Sequence, residues 1–389
     1  MMNAIRRFLD FFCSLRLTIF CLAAALVLVF AGTLAQVRFG LFMVQEEYFQ
    51  SWFVWWSAPS GNLRLPVFPG GHLIGAVLLT NLIAAHIRRF SWKWSKLGIQ
   101  LTHLGLIIML AGGLATDLFS VHSFMRLKEG ATSNYSEDSM RMELAVIDKS
   151  DPEMEQVTAV PGERLADGGA ITHESLPFRM EVRGFYQNSK LQMIGEGGPS
   201  VAASTMGTGA RVAVTAKPRA TRMDERDSMS AVLEIIPAKG GEPLGSWLVS
   251  DSLAAAQEFE CDGRKWSIQL RPARYYKPYS LTLLDFTHET YPGTQIPKNF
   301  SSKVNLVDPE VKDSRQILIY MNHPLRYQGD TYYQSGFEPD NSGTVLQVVR
   351  NPSYQAPYVA CVIVSIGLIY QFIYHLARFS RRQKTATAP

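Results

Sequence analysis

Leu97-Gly98-Ile99-Gln100-Leu101-Thr102-His103-Leu104-Gly105-Leu106-Ile107-Ile108-Met109-Leu110 is an uninterrupted apolar stretch carrying one imidazole and no charge. It continues to Leu118, and at about 1.5 Å per residue a run of this length crosses a hydrocarbon core of roughly 30 Å. Three similar blocks flank it in sequence, so membrane helices are predicted over 17–37, 72–87, 97–118 and 358–376. The whole-chain average hides this, because 19% charged residues and a net charge of +4 describe an ordinary soluble protein. A basic start followed by an apolar block is also the pattern of a signal peptide. The first block is longer than a signal core, and Thr33-Leu34-Ala35-Gln36-Val37 leads straight into an aromatic loop, so a membrane helix is expected there.

Positive charge sets the expected orientation. Arg6, Arg7 and Arg16 precede the first block; Arg88, Arg89, Lys93 and Lys96 join the second to the third; Arg378, Arg381, Arg382 and Lys384 follow the fourth. Four crossings put all three groups on one side only if both termini are cytoplasmic. Residues 1–118 are then a membrane part with an outer loop at 38–71, residues 119–357 an extracytoplasmic domain, and 377–389 a basic cytoplasmic tail. A bacterial inner membrane with a periplasmic domain is the expected setting. The outer loop holds Tyr48, Phe49, Trp52, Phe53, Trp55 and Trp56, rings suited to the headgroup level; a stacking platform for a flat ligand is the sharper alternative.

Between 119 and 357 the pattern changes to period-two alternation, the mark of strands with one buried face. The clearest runs are Arg141–Asp148, Phe178–Phe185, Arg211–Ala216, Ala231–Ile236, Lys265–Leu270, Ser280–Phe286, Lys303–Val307 and Gln316–Met321. Turn signals at Asp167-Gly168-Gly169, Gly195 to Gly198, Gly207 to Gly209, Lys239-Gly240-Gly241 and Asp262-Gly263 separate them. The fold class is therefore an α-helical membrane protein with four transmembrane helices and a large all-β domain, built as one sandwich or two smaller units. Of four cysteines only Cys261 falls in that domain, which rules out an internal disulfide, a Cys-x-x-Cys redox pair and a thiolate zinc site there.

No phosphate-binding glycine loop, Gly-x-Ser-x-Gly elbow or His-Glu-x-x-His pair is present. The net charge is accounted for by the cytoplasmic flanks and gives no argument for nucleic acid. Ionisable groups at membrane depth remain as the functional candidates. His103 lies seven residues after Lys96, about 10 Å into its helix. His86 and His375 lie near the same end, beside Arg88 and Arg378. Gly98, Gly105 and Gly112 recur every seven residues and permit close approach of another helix. His103 projects about 140–200° away from that stripe, toward another helix, a partner or a ligand. A neutral imidazole there suits an interhelical hydrogen bond or an axial bond to haem iron. Arg88, Arg89 or Arg378 could pair haem propionates. His86 and His375 read as interfacial residues or as secondary ligand candidates. His72 opens the second helix at the outer surface; His122, His173, His288 and His323 show no metal-ligand spacing, and no metal other than haem iron is predicted.

The chain resembles the ResB/CcsB family of cytochrome c biogenesis proteins, the System II machinery. The resemblance covers nearly the whole chain. It rests on three helices, a large outer domain and a fourth helix; on His103-Leu104-Gly105-Leu106-Ile107-Ile108-Met109-Leu110-Ala111-Gly112-Gly113; on Met125-Arg126-Leu127-Lys128-Glu129-Gly130; and on Met321-Asn322-His323-Pro324-Leu325, Tyr327-Gln328-Gly329 and Tyr333-Gln334-Ser335. The resemblance implies work with a CcsA-type partner to move haem b across the membrane and present it to apocytochrome c. It also implies an axial-ligand role for the position that His103 matches. The Trp-rich motif of the partner has no counterpart here, so a non-autonomous subunit of a haem lyase is expected, with no catalytic residue of its own. The competing expectations are a haem-free membrane scaffold for an envelope partner and a quinone-linked redox subunit.

Overall fold

A computed structural model describes residues 10–57, 64–151, 154–195, 201–220, 227–294 and 297–386. Arg6, Arg7, Glu196 to Gly198 and residues 387–389 lie outside the described residues, as do the side chains of Arg64 and Lys384. The chain divides into two compact units, one ending at Ser120 and resuming at Asn351, the other beginning at Val121 and ending at Arg350.

The first unit contains helices Leu15–Val44, Gly71–Arg88, Leu97–Phe119 and Ala356–Ala386. All four are long and apolar enough to cross a membrane. Two run well past their expected bounds. The first runs past residue 37 into the stretch read as loop, broken only at Gly40, whose φ of 77° is open to glycine. The last continues through Arg378, Arg381 and Arg382, strong helix formers that nothing interrupts, so the expected tail is largely helix. The remainder of the aromatic loop is ordered too: a wide helical turn at Gln45–Phe49, then Phe53–Ser57 paired antiparallel with Arg64–Pro69. Tyr48 and Phe49 pack with Cys21, Ala24, Leu28 and Ile74, while Trp52, Trp55 and Trp56 stay exposed.

Polar and small residues fasten these helices, as expected where lipid removes the hydrophobic drive. Buried Asn81 accepts from the Thr18 hydroxyl at 2.6 Å and donates to the carbonyls of Phe12 and Ser14. Gly98, Gly105 and Gly112 are the buried residues of the third helix, and all three meet the fourth. A Cβ at Gly105 would stand 2.5 Å from Val364 Cγ2 and 2.9 Å from the Ala360 carbonyl, whereas one at Gly113 meets nothing within 4 Å. Gly105→Val is therefore expected to cost about 1–3 kcal/mol by overpacking. Gly113→Ala should be near neutral. Thermal unfolding of the two variants in detergent, followed by the exposure of the buried Cys21 thiol, checks the contrast.

In the second unit one ten-stranded antiparallel sheet dominates, with a four-stranded sheet and a two-stranded ribbon beside it. Its spine is Arg264–Thr290, paired on one side with Thr132–Asp148 and on the other with Pro297–Asp308. The sequence suggested separate strands at Lys265–Leu270 and Ser280–Phe286, but these belong to one strand. Register shifts at Pro272/Arg274 and Tyr276/Leu281 interrupt its pairing. Even positions Trp266, Ile268 and Leu270 enter one hydrophobic cluster, with Phe178, Leu233 and Phe259. Odd positions Tyr279, Leu281 and Leu283 enter a second, with Met125, Val304 and Tyr332. A bulge changes which face a residue occupies, so one strand serves both clusters. Two cores joined by continuous strands thus replace the choice between one sandwich and two separate units. Strands Val121–Lys128, Ser246–Ser250, Asp330–Phe337 and Gly343–Arg350 escaped prediction because polar Ser123, Ser250, Asp330 and Thr344 occupy buried positions. Arg211 belongs to the short 3₁₀ turn that leads into Val212–Ala216.

Candidate functional site

The second and third helices run antiparallel, joined by the short Arg89–Lys96 connection, and His86 and His103 meet across their seam. Their ring centres stand 6.4 Å apart at 74°. With the glycine stripe committed to the fourth helix, His103 is turned toward the second, in line with the angular estimate. His103 remains exposed on the surface of the unit, and the nearby Leu104 and Leu106 are exposed with it. His86 lies edge-on to Phe90 at 6.0 Å. Its Nδ1 is buried and has no hydrogen-bond partner among the described residues.

The cationic groups near this end are differently engaged. Arg88 pairs with Asp10, both side chains being exposed. The Arg89 guanidinium donates one hydrogen bond to the Cys13 carbonyl at 3.3 Å, and its own carbonyl accepts from Gln100. Among the described residues the bond to Cys13 is the one hydrogen bond of that guanidinium, whose five N–H groups can also meet an anion. Phe90, Trp92, Trp94, Leu97 and Gln100 line a hollow of about 160 Å³ on the connection.

His375 has a local setting: its Nε2 is 2.7 Å from Gln371 Nε2, one turn earlier on the same helix. Arg378 is an exposed residue of that helix. The structure thus brings His86 and His103 together and gives His375 a partner on its own helix. Among the described residues no group of three or more His, Cys, Asp or Glu could hold a metal ion.

The residues that carry the family resemblance in the β unit prove architectural. Tyr327 and Gln328 both donate to Asp308 Oδ2, at 2.8 and 2.6 Å, on a turn with positive φ at Gln328 and Gly329. Gln334 accepts from Ser302 and donates to Thr344 and the Gly336 carbonyl. Glu129 accepts the Phe286 backbone N–H at 2.8 Å. The His323 ring stacks on Tyr320 at 4.1 Å.

Sequence reasoning missed one further pair. His72 Nε2 and Asp117 Oδ2 lie 2.6 Å apart at the other end of the same helical hairpin. The signal was available: the residue numbers of this pair and of His86 and His103 add to the same value, as facing positions of an antiparallel hairpin must.

Residues 255–345 match the model of the ResB-like family. The protein NrfI of Wolinella succinogenes is 32% identical over 102 residues, covering 26% of this chain and 11% of NrfI, so the chain spans about a tenth of that relative. Among solved structures, the crystal structure of MucB in complex with MucA(peri) aligns over 66% of this chain and 97% of that one at 13% identity. Its TM-score of 0.10 carries no argument. The matched segment holds the spine strand and the Asp308 and Gln334 networks, so over this part of the β unit the four-helix membrane protein is similar to the ResB-like family and to NrfI.

Proposed function

We propose that the chain is a subunit of a System II cytochrome c synthase, in which haem b is cargo rather than a resident cofactor. His103 is the axial ligand, and a CcsA-type membrane partner supplies the opposite one and receives the haem for attachment to apocytochrome c. The observation that carries this reading is the pairing of His103 with His86 in a ResB-like chain. A buried, unpartnered imidazole nitrogen beside an exposed imidazole, set among Leu and Phe side chains, fits the chemistry of a haem edge. Arg89 is the best placed of the predicted propionate partners, since Arg88 is already neutralised by Asp10. The Lys and Arg residues flanking the helices support an orientation with both termini in the cytoplasm of a bacterial inner membrane. The β unit is then periplasmic and offers a surface to apocytochrome or partner.

The test is the visible spectrum of the detergent-purified chain, produced alone and with a CcsA-type partner. A Soret band that depends on the partner is the expected result. Absence of any band from a folded, associated pair would leave the chain as a scaffold.

A further inference from the structure

The His72–Asp117 pair stands 14 residues from the His86–His103 pair on each helix, about 21 Å along the seam. It borders a cleft of about 430 Å³ lined by Phe49, Gln50, Gly75, Leu79, Met109 and Gly113, among others. A Cβ at Gly75 or Gly113 would meet nothing within 4 Å, so these glycines leave the cleft open. Asp117 Oδ1 also accepts from Gln50 Nε2 at 3.3 Å, and the Trp52 ring is 6.1 Å from that of His72. Both members of the pair are partly accessible, with side-chain exposures of 24% and 29%.

The chemistry of this cleft selects its occupant. In the tautomer whose Nε2 proton goes to the Asp117 carboxylate, His72 presents Nδ1 as a hydrogen-bond acceptor. Haem propionates and phospholipid phosphates are anionic, and the described lining holds a carboxylate with no Lys or Arg. Such ligands meet like charge here. A neutral ring bearing hydroxyl donors, with an apolar tail that leaves toward lipid past Leu79, Met109 and Leu114, satisfies both the polar end and the apolar walls. We propose that the cleft is a binding site for the ring head of a quinol-class lipid, one ring hydroxyl donating to His72 and Gln50 beside it.

The test is equilibrium binding of a short-tailed benzoquinol to the full-length, haem-free chain in nanodiscs of neutral phospholipid. Because no haem is present, its outcome is separate from that of the haem reading. Saturable binding is expected, weakened about tenfold or more in both His72→Phe and Gly113→Leu. Gly113→Leu fills the cleft while keeping both members of the polar pair, and circular dichroism confirms that each variant is folded. Failure of the benzoquinol to bind, affinity unchanged in both folded variants, or displacement by phosphatidylglycerol in place of the neutral lipid would each overturn the proposal.

Discussion

His103→Gly is expected to strip haem from the purified pair of this chain and its partner, and added imidazole is expected to restore the Soret band. In the proposed haem complex, loss of His103 would eliminate a coordinate bond that the neighbouring Leu and Phe side chains cannot replace. A small cavity at an exposed helix face leaves room for imidazole to take its place. A merely structural histidine would not show this rescue, because free imidazole cannot repair helix packing. His86→Ala separates the remaining roles. If His86 only orients the ligand, haem affinity falls about ten- to a hundredfold while the spectrum stays low-spin. A change to high spin would instead make His86 the second axial ligand and displace the partner from that role. Haem content unchanged by His103→Gly would remove His103 as a ligand.

Asp330→Asn is expected to destabilise the β unit by about 3–5 kcal/mol, the range for removing one partner of a buried ion pair. The Asp330 side chain is fully buried and holds Lys277 Nζ at 2.8 Å and Arg350 Nε at 2.8 Å. The Tyr279 hydroxyl donates to Asp330 at 3.0 Å and meets the Tyr332 hydroxyl at 2.8 Å. Asparagine leaves the Lys277 ammonium buried, 9% exposed, without its counter-charge. Lys277→Met in the Asp330→Asn background should recover part of the loss, which a simple packing defect would not. Burial pushes the Asp330 carboxyl up, but the hydrogen bonds and charges of Arg350 and Lys277 outweigh it and hold the carboxyl below its ordinary range. Its folded-state value is thus depressed, so its stabilisation is complete above the unfolded carboxylate value of about 3.9 and is lost as pH falls through the folded one. Denaturant titrations of the full chain should show a gap between wild type and Asp330→Asn that is constant near neutrality and closes in acid.

Asp330, Asp308 and Gln334 also explain why the β unit carries so much of the family resemblance. Each is a polar side chain in a buried or half-buried setting that gathers several hydrogen bonds, and its loss strands more than one partner. The Tyr327-Gln328-Gly329 and Tyr333-Gln334-Ser335 runs thus hold strands together. The histidines of the helical hairpin, by contrast, offer ligand chemistry.

Four spans, the bounds of the second and third to within a residue, and the β character of the insert were determined by sequence alone. Hydrophobic runs and period-two alternation are local properties, and the bilayer and the pleated sheet impose fixed lengths on them. The angular offset of His103 from Gly98, Gly105 and Gly112 was equally legible, since it follows from helical pitch alone. Only the tertiary structure decided which neighbour each face meets: the fourth helix for the glycines, His86 for His103, and Asp117 for His72. It also decided that one bulged strand from Arg264 to Thr290 serves two cores. Those facts depend on residues far apart in the chain, where small differences in packing and register select among many contacts that the local pattern permits equally.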